Sequence, residues 1–251
     1  MQRSMEKYVS CLMLTLIIID VSNALTFTRT NTTHAQFPKW NACTESSLSF
    51  EFRTKEPDGL LLYMDDSGEN DFLELSVVKG RARMRFNIVQ GRDGALTLTL
   101  GRQLNDGGWH RIEIRRKRMQ IYLYVDRYHD SRLAVGSDFY LGNVANNSFV
   151  YFGGLPMIYG EGKNKSNLKR LSLPSAFFET RFEGEIRNTI YGNCTCRKQR
   201  ANMMSGEDVS PFPLEACDVI NTCGDCLCVS GDDGPACKCQ QEACEDGMFD
   251  K

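Results

Sequence analysis

The residues best suited to chemistry in this chain are its 11 cysteines. Cys11 lies in an apolar amino-terminal run. An even, closely spaced set forms disulfides in an oxidising compartment, whereas Cys223-Gly-Asp-Cys226 with its neighbours would suggest zinc in a cytosolic chain. The compartment therefore decides between the two chemistries. Apart from Cys11, the cysteines are Cys43, Cys194, Cys196, Cys217, Cys223, Cys226, Cys228, Cys237, Cys239 and Cys244.

The amino terminus assigns the compartment. Basic Arg3 and Lys7 precede the apolar run from Cys11 to Ile19, and small residues follow up to Ala24. This three-part pattern predicts a signal peptide over residues 1–24, so export favours disulfides over zinc. No later stretch reaches the length of a membrane span, so we expect a secreted chain or a piece of a longer cell-surface protein. Four sequons predict glycosylation in that compartment, at Asn31, Asn146, Asn164 and Asn193.

Two polar segments admit more than one interpretation. The run Asp65 to Asn70 is similar to a calcium-binding EF-hand loop in composition, but it lacks the length and closing glutamate of that loop, which favours a polar hairpin turn. The basic cluster Arg115, Arg116, Lys117 and Arg118 could contact heparan sulfate, be cleaved by a proprotein convertase, or form a solvated hairpin tip.

Catalysis and nucleic-acid binding find little support. The chain has 3 histidines and neither the Gly-x-Ser-x-Gly nor the His-Glu-x-x-His motif. We expect His110, which follows Trp109 at a strand start, to be structural. A net charge of -2 does not favour nucleic acid. We therefore expect a binding protein and not an enzyme.

The elements that must position these residues are short strands. Apolar and polar residues alternate in many short runs, such as Leu48, Phe50 and Phe52, and turn residues separate the runs. This pattern predicts an all-β antiparallel sandwich. Polar, proline-containing sequence predicts a linker over residues 197–216, and the cysteine-dense tail over 217–251 is too small to fold without disulfides.

Six sequence blocks, taken in order, resemble the laminin G or LNS domain, and most closely the first such domain of α-neurexins. The resemblance implies a jelly-roll-like sandwich, assigned here to residues 25–196. On the same residues, we expect Trp109 and Phe152 to fill the core. The blocks are Phe37-Pro-Lys-Trp40, Ser49-Phe-Glu-Phe-Arg-Thr54, Asp58-Gly-Leu-Leu-Leu-Tyr63, Asp71-Phe-Leu-Glu-Leu75, Asn105-Asp-Gly-Gly-Trp-His110 and Tyr151-Phe-Gly-Gly154.

The tail resembles a partial or divergent EGF-like module, with Cys226 as an additional thiol. The resemblance implies the pairs Cys217–Cys228, Cys223–Cys237 and Cys239–Cys244. Outside the tail, Cys43 has two possible partners, Cys194 and Cys196, and either pair would tie the beginning of the sandwich to its end.

The resemblance also implies a calcium ion on the sandwich rim, held by Asp71, by the carbonyl groups of Ile88 and Leu141, and by Asn143. Such a site has one carboxylate and suits extracellular calcium concentrations. The implied function is an extracellular adhesion module at synapses or cell junctions that binds cell-surface or matrix proteins. The alternative is a secreted glycan-binding or decoy protein that uses the basic cluster to bind heparan sulfate.

Overall fold

A computed structural model shows that most of the described residues are in β-strands. The described residues are 24–43, 45–87, 95–133, 145, 147–160, 170–194, 198–210, 223, 226–232 and 234–239. Within these ranges the helices are two short 3-10 turns, Met157–Tyr159 and Pro174–Phe178. None of the described helices has the length and hydrophobicity needed to cross a membrane.

The described strands are numbered in chain order. They are β1 (Leu25–Thr28), β2 (His34–Phe37), β3 (Glu45–Arg53), β4 (Gly59–Asp65), β5 (Phe72–Val78), β6 (Arg81–Asn87), β7 (Leu96–Leu100), β8 (His110–Lys117), β9 (Gln120–Val125), β10 (Tyr128–Leu133), β11 (Val150–Phe152), β12 (Glu183–Gly192), β13 (Lys198–Arg200), β14 (Ser205–Glu207), β15 (Val209–Ser210), β16 (Leu227–Gly231) and β17 (Gly234–Lys238).

These strands form two large antiparallel sheets and one hairpin. Sheet I has the order β10-β9-β8-β3-β12-β1-β15, with β13 also paired to β12. Sheet II has the order β14-β2-β11-β4-β5-β6-β7, and β16 pairs with β17 in the separate hairpin. The predicted all-β antiparallel sandwich is therefore confirmed.

The core lies between the two sheets. Alternation directs one set of side chains inward, so Leu48 and Phe50 of sheet I meet Met84 and Phe86 of sheet II in one buried cluster. Phe152 joins this cluster as expected, with its ring 5.0 Å from that of Phe50 in an edge-to-face contact. Such pairs are the geometry that aromatic rings prefer.

A second, smaller core covers the outer face of sheet II. Residues 155–160 and 170–178 lie over β4, β5 and β11, where Leu171 and Ala176 pack with Tyr63 and Tyr151.

The expected linker over residues 197–216 is wrong for residues 198–210. This segment forms β13, β14 and β15, which add to β12, β2 and β1 respectively. The strands are only 2 or 3 residues long, too short to show an alternating pattern in sequence. They close exposed edges of both sheets, which is a common use of short edge strands.

Three disulfides join described cysteines. Cys43 is bonded to Cys194, one of its two expected partners; the other, Cys196, lies outside the described residues. Cys223 is bonded to Cys237, as the resemblance implies. The implied pair Cys239–Cys244 is wrong, because Cys239 is bonded to Cys226. The hairpin register explains this: Cys226 precedes β16 and Cys239 follows β17, so the two ends lie opposite each other. Cys228 is also disulfide-bonded. Cys217 and Cys244 lie outside the described residues.

The Cys43–Cys194 bond generates a prediction about stability. Cys43 precedes β3 and Cys194 follows β12, its neighbour in sheet I, so the bond links positions 151 residues apart. Replacing both by alanine should lower the free energy of unfolding by about 3–5 kcal/mol, because the unfolded chain loses a long-loop constraint. Urea denaturation followed by circular dichroism measures the change, and an unaltered midpoint would contradict it. Mass mapping of the wild-type disulfides provides the control for connectivity.

Candidate functional site

The rim residue Asp71 is the one member of the implied calcium set that lies among the described residues. It directly precedes β5, and its carboxylate is buried, with 1% of the residue exposed. Ile88, Leu141 and Asn143 lie outside the described residues. Within the described part, no group of three or more His, Cys, Asp or Glu side chains is placed to hold a metal ion.

A buried arginine shares the interior with Asp71. Arg116 is 3% exposed, and its guanidinium donates hydrogen bonds to the carbonyl oxygens of Ala42 and Arg118. Burial lowers the pKa of Arg116 to about 10, and the charge of Asp71 partly offsets that effect. Asp71 therefore supplies an oxygen of the type that calcium prefers, whereas Arg116 adds a positive charge that weakens the attraction of a divalent ion.

The polar run after β4 is a hairpin turn, as expected, and not an EF-hand loop. β4 pairs with β5 so that Asp65 lies opposite Phe72. The Asp66 carboxylate accepts hydrogen bonds from the backbone amides of Glu69 and Asn70 within the turn. The carboxylate of Asp65 accepts hydrogen bonds from Tyr63 Oη at 2.9 Å and from the Ser172 amide at 3.0 Å. Asp65 also accepts a hydrogen bond from the Ser67 amide at 3.1 Å, so both carboxylates stabilise the turn.

The basic cluster does not form one surface, which corrects the expectation for Arg116. Strand alternation turns Arg115 and Lys117 to the outer face of sheet I and Arg116 to the interior. Arg118 follows in the turn with a φ of 57° and is exposed. The cationic surface therefore consists of three side chains, and the fourth is a buried structural group.

The outer face of sheet I carries an aromatic ladder that the sequence analysis did not assign as a site. The rings of Tyr122 and Tyr124 stack with centroids 6.2 Å apart, and the ring of His129 on the neighbouring strand stacks on Tyr124 at 5.5 Å. The guanidinium of Arg115 lies 5.0 Å from the Tyr124 ring. We name these four residues the β8–β10 ladder. The tyrosines alternate in sequence with Ile121, Leu123 and Val125, which predicts that they face outward, but only the sheet brings Arg115 and His129 to them.

Glu113 organises the charges beside the ladder. Its carboxylate lies 2.8 Å from Arg115 Nε, 3.4 Å from an Arg111 nitrogen and 3.5 Å from Lys198 Nζ. Burial would raise the pKa of Glu113, but the hydrogen bond from Arg115 and the nearby positive charges outweigh it and lower the pKa. Glu113 therefore stays ionised and holds Arg115 in place over Tyr124.

Trp109 is not in the core, contrary to expectation. Its ring lies on the outer face of sheet I between two guanidinium groups, 4.9 Å from that of Arg53 and 4.0 Å from that of Arg187. Glu185 binds Arg53 through two hydrogen bonds, and Glu51 accepts one from Arg187 at 2.8 Å. A tryptophan before a strand can lie in the core or at the surface, and the local sequence does not distinguish the two positions. Only the register of β3, β8 and β12 brings the two arginines to the Trp109 ring.

The remaining predicted residues fall at the surface or outside the described ranges. His110 is structural as expected, with Nδ1 2.9 Å from an Asp126 oxygen and Nε2 3.2 Å from Asp106. Asn31 lies in an exposed turn, and Asn193 Oδ1 accepts a hydrogen bond from the Asn41 amide. Glycosylation at both asparagines stays a prediction. Asn146 and Asn164 lie outside the described residues.

Comparison with known proteins identifies the class. A family model for the laminin G domain matches residues 52–193. Two solved structures share the fold. Domains LG4-5 of the mouse laminin alpha1 chain match with a TM-score of 0.57 and 20% identity, over 76% of this chain and 46% of that one. The LG1-3 region of the laminin alpha2 chain matches with a TM-score of 0.52 and 17% identity, over 72% of this chain and 34% of that one. The chain belongs to the laminin G domain family.

Within that family the chain is similar to neurexins. It is 37% identical over 229 residues to Neurexin 1 of Drosophila melanogaster, which covers 81% of this chain and 12% of the relative. It is 34% identical over 160 residues to human Neurexin-2, covering 63% of this chain and 9% of that protein. The chain thus spans about a tenth of the length of these relatives.

The stacked tryptophan generates a prediction. Trp109→Leu should lower the free energy of unfolding by about 1–2 kcal/mol, because a leucine keeps apolar bulk but offers no π-face to Arg53 and Arg187. Trp109→Tyr keeps an aromatic face and should cost less. Urea denaturation of the three proteins measures the difference. Equal losses for leucine and tyrosine would show that the guanidinium stack contributes nothing.

Proposed function

We propose that the chain is an extracellular recognition module of neurexin type that binds a cell-surface or matrix protein through the β8–β10 ladder. Proteins of the neurexin and laminin G type are extracellular or cell-surface binding modules without enzymatic activity. The observation that carries the proposal is the ladder itself, in which Tyr122, Tyr124 and Arg115 are partly exposed and His129 is exposed on the outer face of sheet I. Synapses and other cell junctions are the proposed location.

The chemistry of the ladder suits a protein partner. Tyrosine and arginine are the residue types enriched where protein interfaces concentrate their binding free energy. Tyr122 Oη donates a hydrogen bond to Gln120 at 2.8 Å, and Glu113 fixes Arg115, so these side chains are ordered before binding. Ordered side chains lose less conformational entropy when a partner docks.

A binding assay tests the proposal. Tetramers of the chain should bind neurons of the source species, and Tyr124→Ala should weaken that binding at least tenfold, because a central aromatic contact is worth about 2 kcal/mol. Flow cytometry gives the apparent affinity. Phe178→Ala is the matched control, because Phe178 is an exposed aromatic residue, 67% accessible, on the covering segment of sheet II. Equal binding by both variants would exclude the ladder.

The second candidate function is binding of heparan sulfate. It is favoured by Arg115, Lys117 and Arg118, which stay at the surface of one hairpin. Heparin binding through these side chains should fall steeply with salt and be lost in the triple variant Arg115→Gln, Lys117→Gln, Arg118→Gln. Pretreating the cells with heparinase separates the functions: it should abolish glycan binding and leave a protein partner unaffected.

Calcium binding at the rim is proposed from the family resemblance, with Asp71 as its carboxylate. We expect weak binding in the range of about 10⁻⁴ to 10⁻³ M, typical of extracellular modules. Calorimetry should give no binding heat for Asp71→Ala and roughly tenfold tighter binding for Arg116→Met, because a buried positive charge is removed. Arg118→Met is the control with an exposed charge. Binding heat that survives in Asp71→Ala would exclude the site.

A further inference from the structure

The cysteine-rich hairpin β16–β17 lies against the sandwich by one edge. Val229 and Ser230 of β16 are buried, whereas Pro235, Ala236 and Cys237 of β17 are exposed. Strand β16 contacts β12 and β13 of sheet I. An isolated two-stranded hairpin is marginally stable in water, so contact with the sandwich along one edge should stabilise its structure.

A bulge in β12 provides the contact. The pairing of β12 with β3 shifts between Arg187 and Ile190, so two residues of β12 lie opposite the single residue Phe50. The first of the two, Asn188, has a φ of 56°. Asparagine tolerates this left-handed conformation better than other residues with a side chain except aspartate, which explains its presence in the bulge.

The Asn188 side chain binds the main chain of β16 as a neighbouring strand would. Its Oδ1 accepts a hydrogen bond from the Ser230 amide, and its Nδ2 donates one to the Ser230 carbonyl, each at 2.8 Å. Nδ2 also lies 3.2 Å from a Glu51 carboxylate oxygen, which fixes the orientation of the amide. Asn188 is 5% exposed and Ser230 3%, so these bonds are shielded from water. A buried amide group that loses such a partner lowers the stability of the fold.

A second contact lies beside the first and reaches the Trp109 stack. Arg187 donates one hydrogen bond to Glu51 and another to Asp232 of the hairpin at 2.9 Å, while its guanidinium covers the Trp109 ring at 4.0 Å. Asp232 is exposed, so this ion pair contributes less than the buried amide. Adjacent residues of one bulge thus hold the hairpin at two points.

We infer that the bulge of β12 is a docking surface for the cysteine-rich hairpin of the same chain, and that Asn188 fixes the hairpin as a rigid extension of sheet I. The hairpin then covers the β12–β13 side of the outer face and leaves the β8–β10 ladder open. Because Asn188 binds main-chain groups, its contact depends on the backbone of the hairpin, whereas the Arg187 contact depends on the Asp232 side chain.

The variant Asn188→Gly tests this inference. Glycine accepts the left-handed backbone, so the bulge is kept while the amide is removed. Two measurements by NMR are decisive. Hydrogen exchange of the Ser230 amide should accelerate by at least about tenfold, because its acceptor is lost. Residual dipolar couplings of the hairpin should fit the alignment tensor of the sandwich in the wild type and deviate from it in the variant.

Asn87→Gly is the matched control, because Asn87 Nδ2 also donates to a backbone carbonyl, that of Asn70, but on sheet II. It should leave both measurements at wild-type values. Disulfide mapping of Asn188→Gly should still show Cys223–Cys237 and Cys226–Cys239, which establishes that the hairpin itself is folded. Unchanged exchange and a shared alignment tensor in Asn188→Gly would overturn the inference, as would hairpin couplings that do not fit the sandwich tensor in the wild type.

Discussion

Strand β12 is the element on which the rest of the structure depends. It pairs with β3, β1 and β13, so it lies at the centre of sheet I and joins the earliest described strand to one of the late strands. The disulfide Cys43–Cys194 fastens β3 to its carboxyl end. Its bulge then turns Arg187 and Asn188 toward the cysteine-rich hairpin. One strand thus supports the sheet and the hairpin together.

The alternation of a strand assigns neighbouring arginines to opposite roles. Arg115 faces solvent, where Glu113 and Tyr124 hold it as part of the proposed binding surface. Arg116 faces the interior and binds the Ala42 carbonyl. A buried charge is expensive unless hydrogen bonds and opposite charges compensate it, and Asp71 contributes to that compensation. The same alternation that builds the core therefore determines how many positively charged side chains remain at the surface.

The two outer faces of the sandwich differ in what covers them. The outer face of sheet II is closed by the segment that carries Leu171 and Ala176. The outer face of sheet I is divided between the hairpin at β12–β13 and the ladder at β8–β10. A laminin G sandwich used in this way presents one ordered aromatic surface, and its position relative to the hairpin is set by the contact at Asn188.

The sequence by itself determined the fold class, the core side of several strands and the family, because alternation is a local pattern and the family's turn motifs are local too. It also assigned the turn after β4 and the role of His110. Only the tertiary structure decided the rest: the outward place of Trp109, the inward place of Arg116, the bond of Cys239 to Cys226 and the strands of residues 198–210. Each of these depends on which strand lies beside which and in what register, and register joins residues far apart in the chain.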